Sequence, residues 1–268
     1  YNRAVGLAVI VGLFLLVTVA VGGKVGAKSL IALAVTLACL FYVLIPLLMK
    51  GAPTLVTVFL VCAYITVVTM VILGGVCRKT VCAALGTIAG TALALLFGLL
   101  AQGILHIDGL RLTDVEPLLQ LRQTGTPLSL RGLLVAGVVI SALGAVMDVA
   151  MSISSALTEV HAVAPGRSGR DLFRSGMNIG RDMVGTMTNT LILAFLGSGF
   201  SFILYLCSLG LNLRQLISSP YVATEVISGV ASSVGVILAV PLTAAITAAI
   251  VTREKAVPGA AEKAAEGK

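Results

Sequence analysis

Seven long apolar runs leave this chain few ways to fold. They cover residues 4–23, 29–49, 54–76, 81–104, 132–158, 185–209 and 221–252. As helices, each is long enough to cross roughly 30 Å of hydrocarbon, which takes about 20 residues. The runs are continuous rather than alternating, which excludes the strands of a membrane β-barrel. Composition closes the soluble alternatives. Of 268 residues, 58% are hydrophobic and only 11% charged, where a soluble domain carries roughly 25% charged. So little charge cannot coat a core of this size, which excludes a cytosolic enzyme, a disordered chain and a disulfide scaffold. The expected fold is all-α: a polytopic bundle of seven transmembrane helices within residues 1–252, followed by a disordered cytoplasmic tail at 253–268. Pro241, inside the overlong last run, predicts a kink or an end turn.

The net charge of +7 bears on topology rather than on nucleic acid, because the basic residues lie between the runs. Lys24, Lys28, Arg78, Lys79, the arginines from 167 to 181 and the basic residues of the tail fall on one side, twelve in all. Arg3, Lys50, Arg111, Arg122, Arg131 and Arg214 make six on the other. The positive-inside rule then places the N-terminus outside and the C-terminus in the cytoplasm. Tyr1 is not an initiator Met, and the first run is too long for a signal peptide, so a preceding segment is expected. In the outer loop at 106–131, Thr113-Asp-Val-Glu116 is a capping-box pattern ahead of Leu118, Leu119 and Leu121, which predicts a short surface helix. In the inner loop at 161–182, Arg170, Arg174, Asn178 and Arg181 recur at near-helical spacing after Pro165-Gly166. This predicts an interfacial helix running into the sixth span. Arg167, Arg170 and Arg174 are candidates for anionic lipid headgroups, against the plainer alternative of a solvated basic loop.

Polar residues inside the runs are few. Ser141, Gly144, Asp148, Ser152, Ser155 and Glu159 step by 3, 4, 4, 3 and 4 and so share one face of the fifth helix. A charge such as Asp148 at bilayer depth costs at least about 2.5–3.5 kcal/mol, which makes it a functional candidate by default. In the sixth helix Asn178, Asp182, Gly185 and Asn189 repeat the pattern, with Arg181 and Thr188 beside them. An antiparallel hairpin would bring Asp148 to the level of Thr188 and Asn189, and Glu159 to that of Arg174 and Arg181. The candidates for proton or ion relay are therefore Asp148, Ser152, Ser155, Thr188 and Asn189. Glu159, Arg174, Asn178, Arg181 and Asp182 form the expected cytoplasmic polar cluster. The competing reading is that both stripes are packing seams. Glu225, near the outer end of the seventh run, reads as an interfacial residue.

Other chemistry finds no support. The five cysteines form no CxxC pair and read as small packing residues, and His106 and His161 stand singly, so neither metal nor cofactor is expected. No P-loop, GxSxG, HExxH or dinucleotide fingerprint occurs, so no enzyme is expected. No internal repeat is evident either.

The two polar segments, Gly144-Ala-Val-Met-Asp148-Val-Ala-Met-Ser152-Ile-Ser-Ser155-Ala-Leu-Thr-Glu159-Val and Phe173-Arg-Ser-Gly-Met-Asn178-Ile-Gly-Arg181-Asp182-Met-Val-Gly-Thr-Met-Thr-Asn189-Thr-Leu, resemble the YibE/F family. The likeness extends to Arg78-Lys79-Thr80 and to Ala239-Val-Pro241-Leu-Thr, and covers essentially the whole chain. It implies a multi-pass protein of a bacterial cell membrane, with a helix and an extracytoplasmic segment ahead of the portion seen here. It carries no established activity. The hairpin is also similar to the Asp-bearing hairpin of proton-driven secretion and efflux permeases, which have five spans after their extracytoplasmic domain against seven here. The sequence therefore points first to a transport or export-related permease domain using Asp148. The alternative is a non-transporting scaffold or signalling subunit. The bilayer is its environment, and a partner membrane protein or a second copy its expected company.

Overall fold

The computed structural model describes residues 3–105, 130–210, 212–217 and 219–252. The surface helix expected around Thr113 and the tail at 253–268 lie outside the described residues. Among these, the regular elements are helices: α1 (Arg3–Cys39), a π-helical turn (Leu40–Leu44), α2 (Ile45–Met49), α3 (Thr54–Gly74), α4 (Arg78–Leu105), α5 (Leu130–Val163), α6 (Gly169–Ser198), α7 (Phe200–Ser208), α8 (Leu213–Ile217) and α9 (Pro220–Thr252). Five stretches are long and apolar enough to cross a membrane: Arg3–Met49, Thr54–Gly74, Arg78–Ile104, Val135–Val163 and Val222–Thr252. The pair α6–α7, bent by 56°, makes a sixth if taken as one span.

Two departures from the expected runs have local causes. The first two runs fall within one helical stretch, and its break is at Gly23 (φ 54, ψ −132). Eight residues of straight helix would separate residues 18 and 26 by about 12 Å. Instead Gly26 abuts the Thr18 carbonyl oxygen, so the chain folds sharply at Gly23, in a backbone region that side-chain-bearing residues avoid. The sixth run is broken at Gly199, between α6 and α7. Gly197, Ser198 and Gly199 form the Gly/Ser grouping at which helices bend, and the Ser198 hydroxyl oxygen lies 2.9 Å from the Phe195 carbonyl oxygen. Pro241, by contrast, leaves α9 continuous.

The core is organised around α9. Gly86, Gly90 and Ala94 of α4 meet Thr243, Ala239 and Gly235 of α9, so these helices run antiparallel in a seam of small residues spaced by four. A Cβ at Gly90 would lie 2.7 Å from the Ala239 Cβ and 2.8 Å from Val146 Cγ1. On another side of α9, Gly176 of α6 abuts Ala244 and Gly180 abuts Val240. Small residues permit this approach because dispersion between close backbones, not apolar burial, holds membrane helices together. Val146, Val149, Ile153 and Leu157 of α5 complete the cluster with Val236 and Val240. A second cluster joins α3 to α5 through Val58, Cys62, Ile65, Val135, Val139 and Leu143. Cys39, Cys62 and Cys82 are buried free thiols.

One end of the bundle gathers the basic turns. Ser154 of α5 donates to the Lys79 carbonyl at 2.5 Å, and Gly169, at the start of α6, lies beside Thr252, at the end of α9. Lys79, the Arg167–Arg170 turn and the residue preceding Arg253 therefore share that end.

Candidate functional site

The fifth-helix stripe exists as a face. Gly144, Asp148, Ser152 and Glu159 are exposed and Ser155 is half-buried, while Val146, Val149, Ile153 and Leu157 on the opposite side are buried. Ser141 is drawn inward, its hydroxyl 3.1 Å from that of Ser232 on α9. The periodicity sorts the helix as amphipathic patterning should: the apolar stripe seeks the core and the polar stripe is left outside it.

Asp148 lies at the edge of an open groove between α1, α3 and α5. The groove holds about 410 Å³ and is lined by Ser29, Thr36, Cys62, Ile65, Thr69, Gly144, Met147 and Asp148, among others. Its walls are mostly aliphatic, with three hydroxyls and one carboxylate. Thr36 and Thr69 approach across it at 3.5 Å between hydroxyl oxygens. Among the described residues no cation pairs with Asp148 and no side chain hydrogen-bonds to it, and no group of His, Cys, Asp and Glu is placed to hold a metal. The carboxylate is thus free to meet a solute, a proton or a small cation from the groove.

The sixth-helix stripe does not answer the fifth. Helices α5 and α6 run antiparallel, as expected, but they touch through Leu157 against Gly176 and Ile153 against Gly180. Continuing that register puts Asp148 level with Gly185, about one turn short of the expected Thr188 and Asn189, and Glu159 level with Arg174. The levels are close to expectation; the faces are not. Arg174, Asn178, Arg181, Asp182, Gly185 and Asn189 are all exposed, on the side of α6 away from the bundle. Thr188 is half-buried, its hydroxyl oxygen buried without a hydrogen-bond partner. Glu159 forms no ion pair with Arg174 or Arg181 among the described residues. The expected meeting of the stripes is corrected on a steric ground. Gly176 and Gly180 form a smooth strip on α6, and a Cβ at 176 would lie 2.8 Å from the Ala244 Cβ and 2.9 Å from Leu157 Cδ1. Close backbone approach there turns the polar residues outward.

Sequence reasoning missed the groove's far wall. Ser29, Thr36 and Thr69 gave a weak signal, since a helical Ser or Thr ordinarily satisfies itself on the preceding turn. Both Ser29 and Thr36 do so, on the Val25 and Ala32 carbonyls at 3.1 and 2.9 Å. A second groove of about 290 Å³, between α6, α7 and α9, is apolar apart from Glu225, whose carboxylate accepts from Ser198 at 2.7 Å.

Comparison with protein families matches residues 10–253 to one described as YibE/F-like protein. No curated protein and no solved structure matches the chain.

Proposed function

The chain belongs to the YibE/F-like family, and from that premise we propose that it is the permease domain of a transport or export system, with Asp148 as the group that carries a proton or coordinates a cation. One observation supports this reading above the others: Asp148 opens on a groove of about 410 Å³ instead of being enclosed between packed helices. A carboxylate at membrane depth is costly to keep, and a hydrogen-bonding glue could be supplied by Ser or Asn at less cost. Ser152 and Ser155 continue the same face from Asp148 toward Glu159 and give a proton hydroxyl stepping stones one turn apart. Asn189, facing away on α6, and Thr188 do not line the groove and have no part in this path.

In this reading the break at Gly23 is a hairpin between two crossings and α6–α7 is one bent crossing, giving seven spans. The basic turns gathered at one end support a reading with that end in the cytoplasm and the N-terminus outside, in a bacterial cell membrane. Arg167, Arg170 and Arg174, all exposed, hold the start of α6 against anionic headgroups.

Purified chain in liposomes tests the proposal. An imposed proton or cation gradient should be dissipated by the native chain and not by Asp148→Asn, whose melting temperature should match the native value. Equal flux through a folded Asp148→Asn variant would overturn it in favour of a scaffold or signalling subunit.

A further inference from the structure

The outward face of α6 is polar from the basic end of the bundle, where Asn178, Arg181 and Asp182 lie, up to Asn189 within the apolar run. Asn178, Arg181, Asp182 and Asn189 are exposed, and among the described residues none makes a hydrogen bond or an ion pair. Thr186, between them, satisfies itself on the Met183 carbonyl at 3.0 Å. Amides and charges of this kind seldom face lipid; they turn toward protein or water. The described bundle covers the opposite face of α6 and leaves this one bare.

The arrangement of these residues indicates what covers it. Asn178, Gly185 and Asn189 lie along one line of the helix, seven and four residues apart. Arg181 and Asp182 flank that line on opposite sides, because neighbouring residues are about 100° apart around a helix. Two copies inserted in the same orientation can be related only by an axis along the membrane normal, so each residue on the line meets its own counterpart. An amide carries both donor and acceptor and pairs with itself. The left flank of one helix meets the right flank of the other, so Arg181 faces Asp182 of the partner subunit, twice. At Gly185 an added Cβ would meet nothing within 4 Å in the single chain, which leaves the crossing point clear. A surface complementary to itself under a two-fold axis is what an isologous interface requires.

We infer that the exposed stripe of α6 is a homodimer interface, in which a second copy of this chain packs its α6 in parallel against the first. The inference stands on the exposure and self-complementarity of the stripe and is independent of any role for Asp148.

Single cysteines test it in the full chain, in native membranes, with exposed Cys77 and Cys207 replaced by Ser. Under mild oxidation Asn178→Cys, Gly185→Cys and Asn189→Cys should each give a disulfide-linked species of twice the chain mass. Met183→Cys and Met187→Cys, on the face packed against the core, should not. Position 185 guards against misfolding, since it has open space. No doubled species at 178, 185 or 189, equal yield at 183 and 187, or linkage to a protein of another mass would each overturn the inference. In purified material Asp182→Arg should abolish the dimer by light scattering, and Arg181→Asp combined with Asp182→Arg should restore it. A dimer that survives Asp182→Arg, or a double variant that melts like the native chain yet stays monomeric, would also overturn it.

Discussion

Replacing Gly90 by Ala should destabilise the bundle, while the same replacement at Gly144 should not. Both glycines lie within long helices and gain about the same helix propensity from a methyl group, on the order of 1 kcal/mol, so that gain cancels in the comparison. What remains is packing. At Gly90 the new Cβ would lie 2.7 Å from the Ala239 Cβ and 2.8 Å from Val146 Cγ1, with the Ala239 Cα at 3.4 Å. Carbon atoms prefer roughly 3.5–4.0 Å, so α4 and α9 must separate by close to an ångström. Ala239 has no rotamer with which to yield, and Val146 and Ala239 are fully buried. Overpacking of this kind costs about 1–3 kcal/mol. At Gly144 the Cβ would meet nothing within 4 Å. The expected gap between the two variants is therefore about 1–3 kcal/mol, with Gly144→Ala the more stable. Equilibrium unfolding in mixed micelles, followed by circular dichroism, measures it. Equal stability, or a more stable Gly90→Ala, would refute the antiparallel seam of α4 and α9.

Other perturbations test neighbouring features. Gly23→Ala forces a side chain into a backbone region at φ 54, which costs about 1–3 kcal/mol and should lower the melting temperature, whereas Gly22→Ala should not. Ser154→Ala removes the hydroxyl that donates to the Lys79 carbonyl from a fully buried position; a loss of about 1 kcal/mol is expected in the same unfolding assay, and an unchanged midpoint would count against that contact. Glu159→Gln should leave the melting temperature where it is, because Glu159 is exposed and has no ion-pair partner among the described residues. A clear drop would restore the cytoplasmic cluster expected from the sequence.

Much of this architecture was legible in the residues before the structure. Hydropathy announced the helices, and of the face of α5 spaced by 3 and 4 from Ser141 to Glu159, the part from Gly144 onward lies outside the core while Ser141 turns inward to Ser232. The loop that opens with Pro165-Gly166 does lead into a helix, started by Ser168, whose hydroxyl accepts from the Asp171 amide at 3.2 Å. The neighbour of each face was not legible. Periodicity says which residues lie together on a helix, not what they meet, and complementary polarity pointed α5 at the wrong side of α6. The deciding signal was steric and present all along, in Gly176 and Gly180 on one helix and the four-residue ladders Gly86–Gly90–Ala94 and Gly235–Ala239–Thr243 on the others. The run 185–209 gave no sign of the 56° bend between α6 and α7, because hydropathy ignores backbone geometry and the bend is set by Gly197 and Gly199 around Ser198.

Whether water reaches Asp148 separates the permease from the packing seam most directly. In a chain whose exposed Cys77 and Cys207 are replaced by Ser and whose groove-lining Cys62 is replaced by Ala, Asp148→Cys should react with a small, charged thiol reagent, as should Ser29→Cys on the groove's far wall. Val149→Cys, its neighbour on the buried face, should stay unlabelled. The permease account predicts modification at 148 and 29 with protection at 149. If the thiol of the Asp148→Cys variant is as inert as that of Val149→Cys in folded, membrane-embedded protein, no aqueous groove reaches position 148 and the account is wrong.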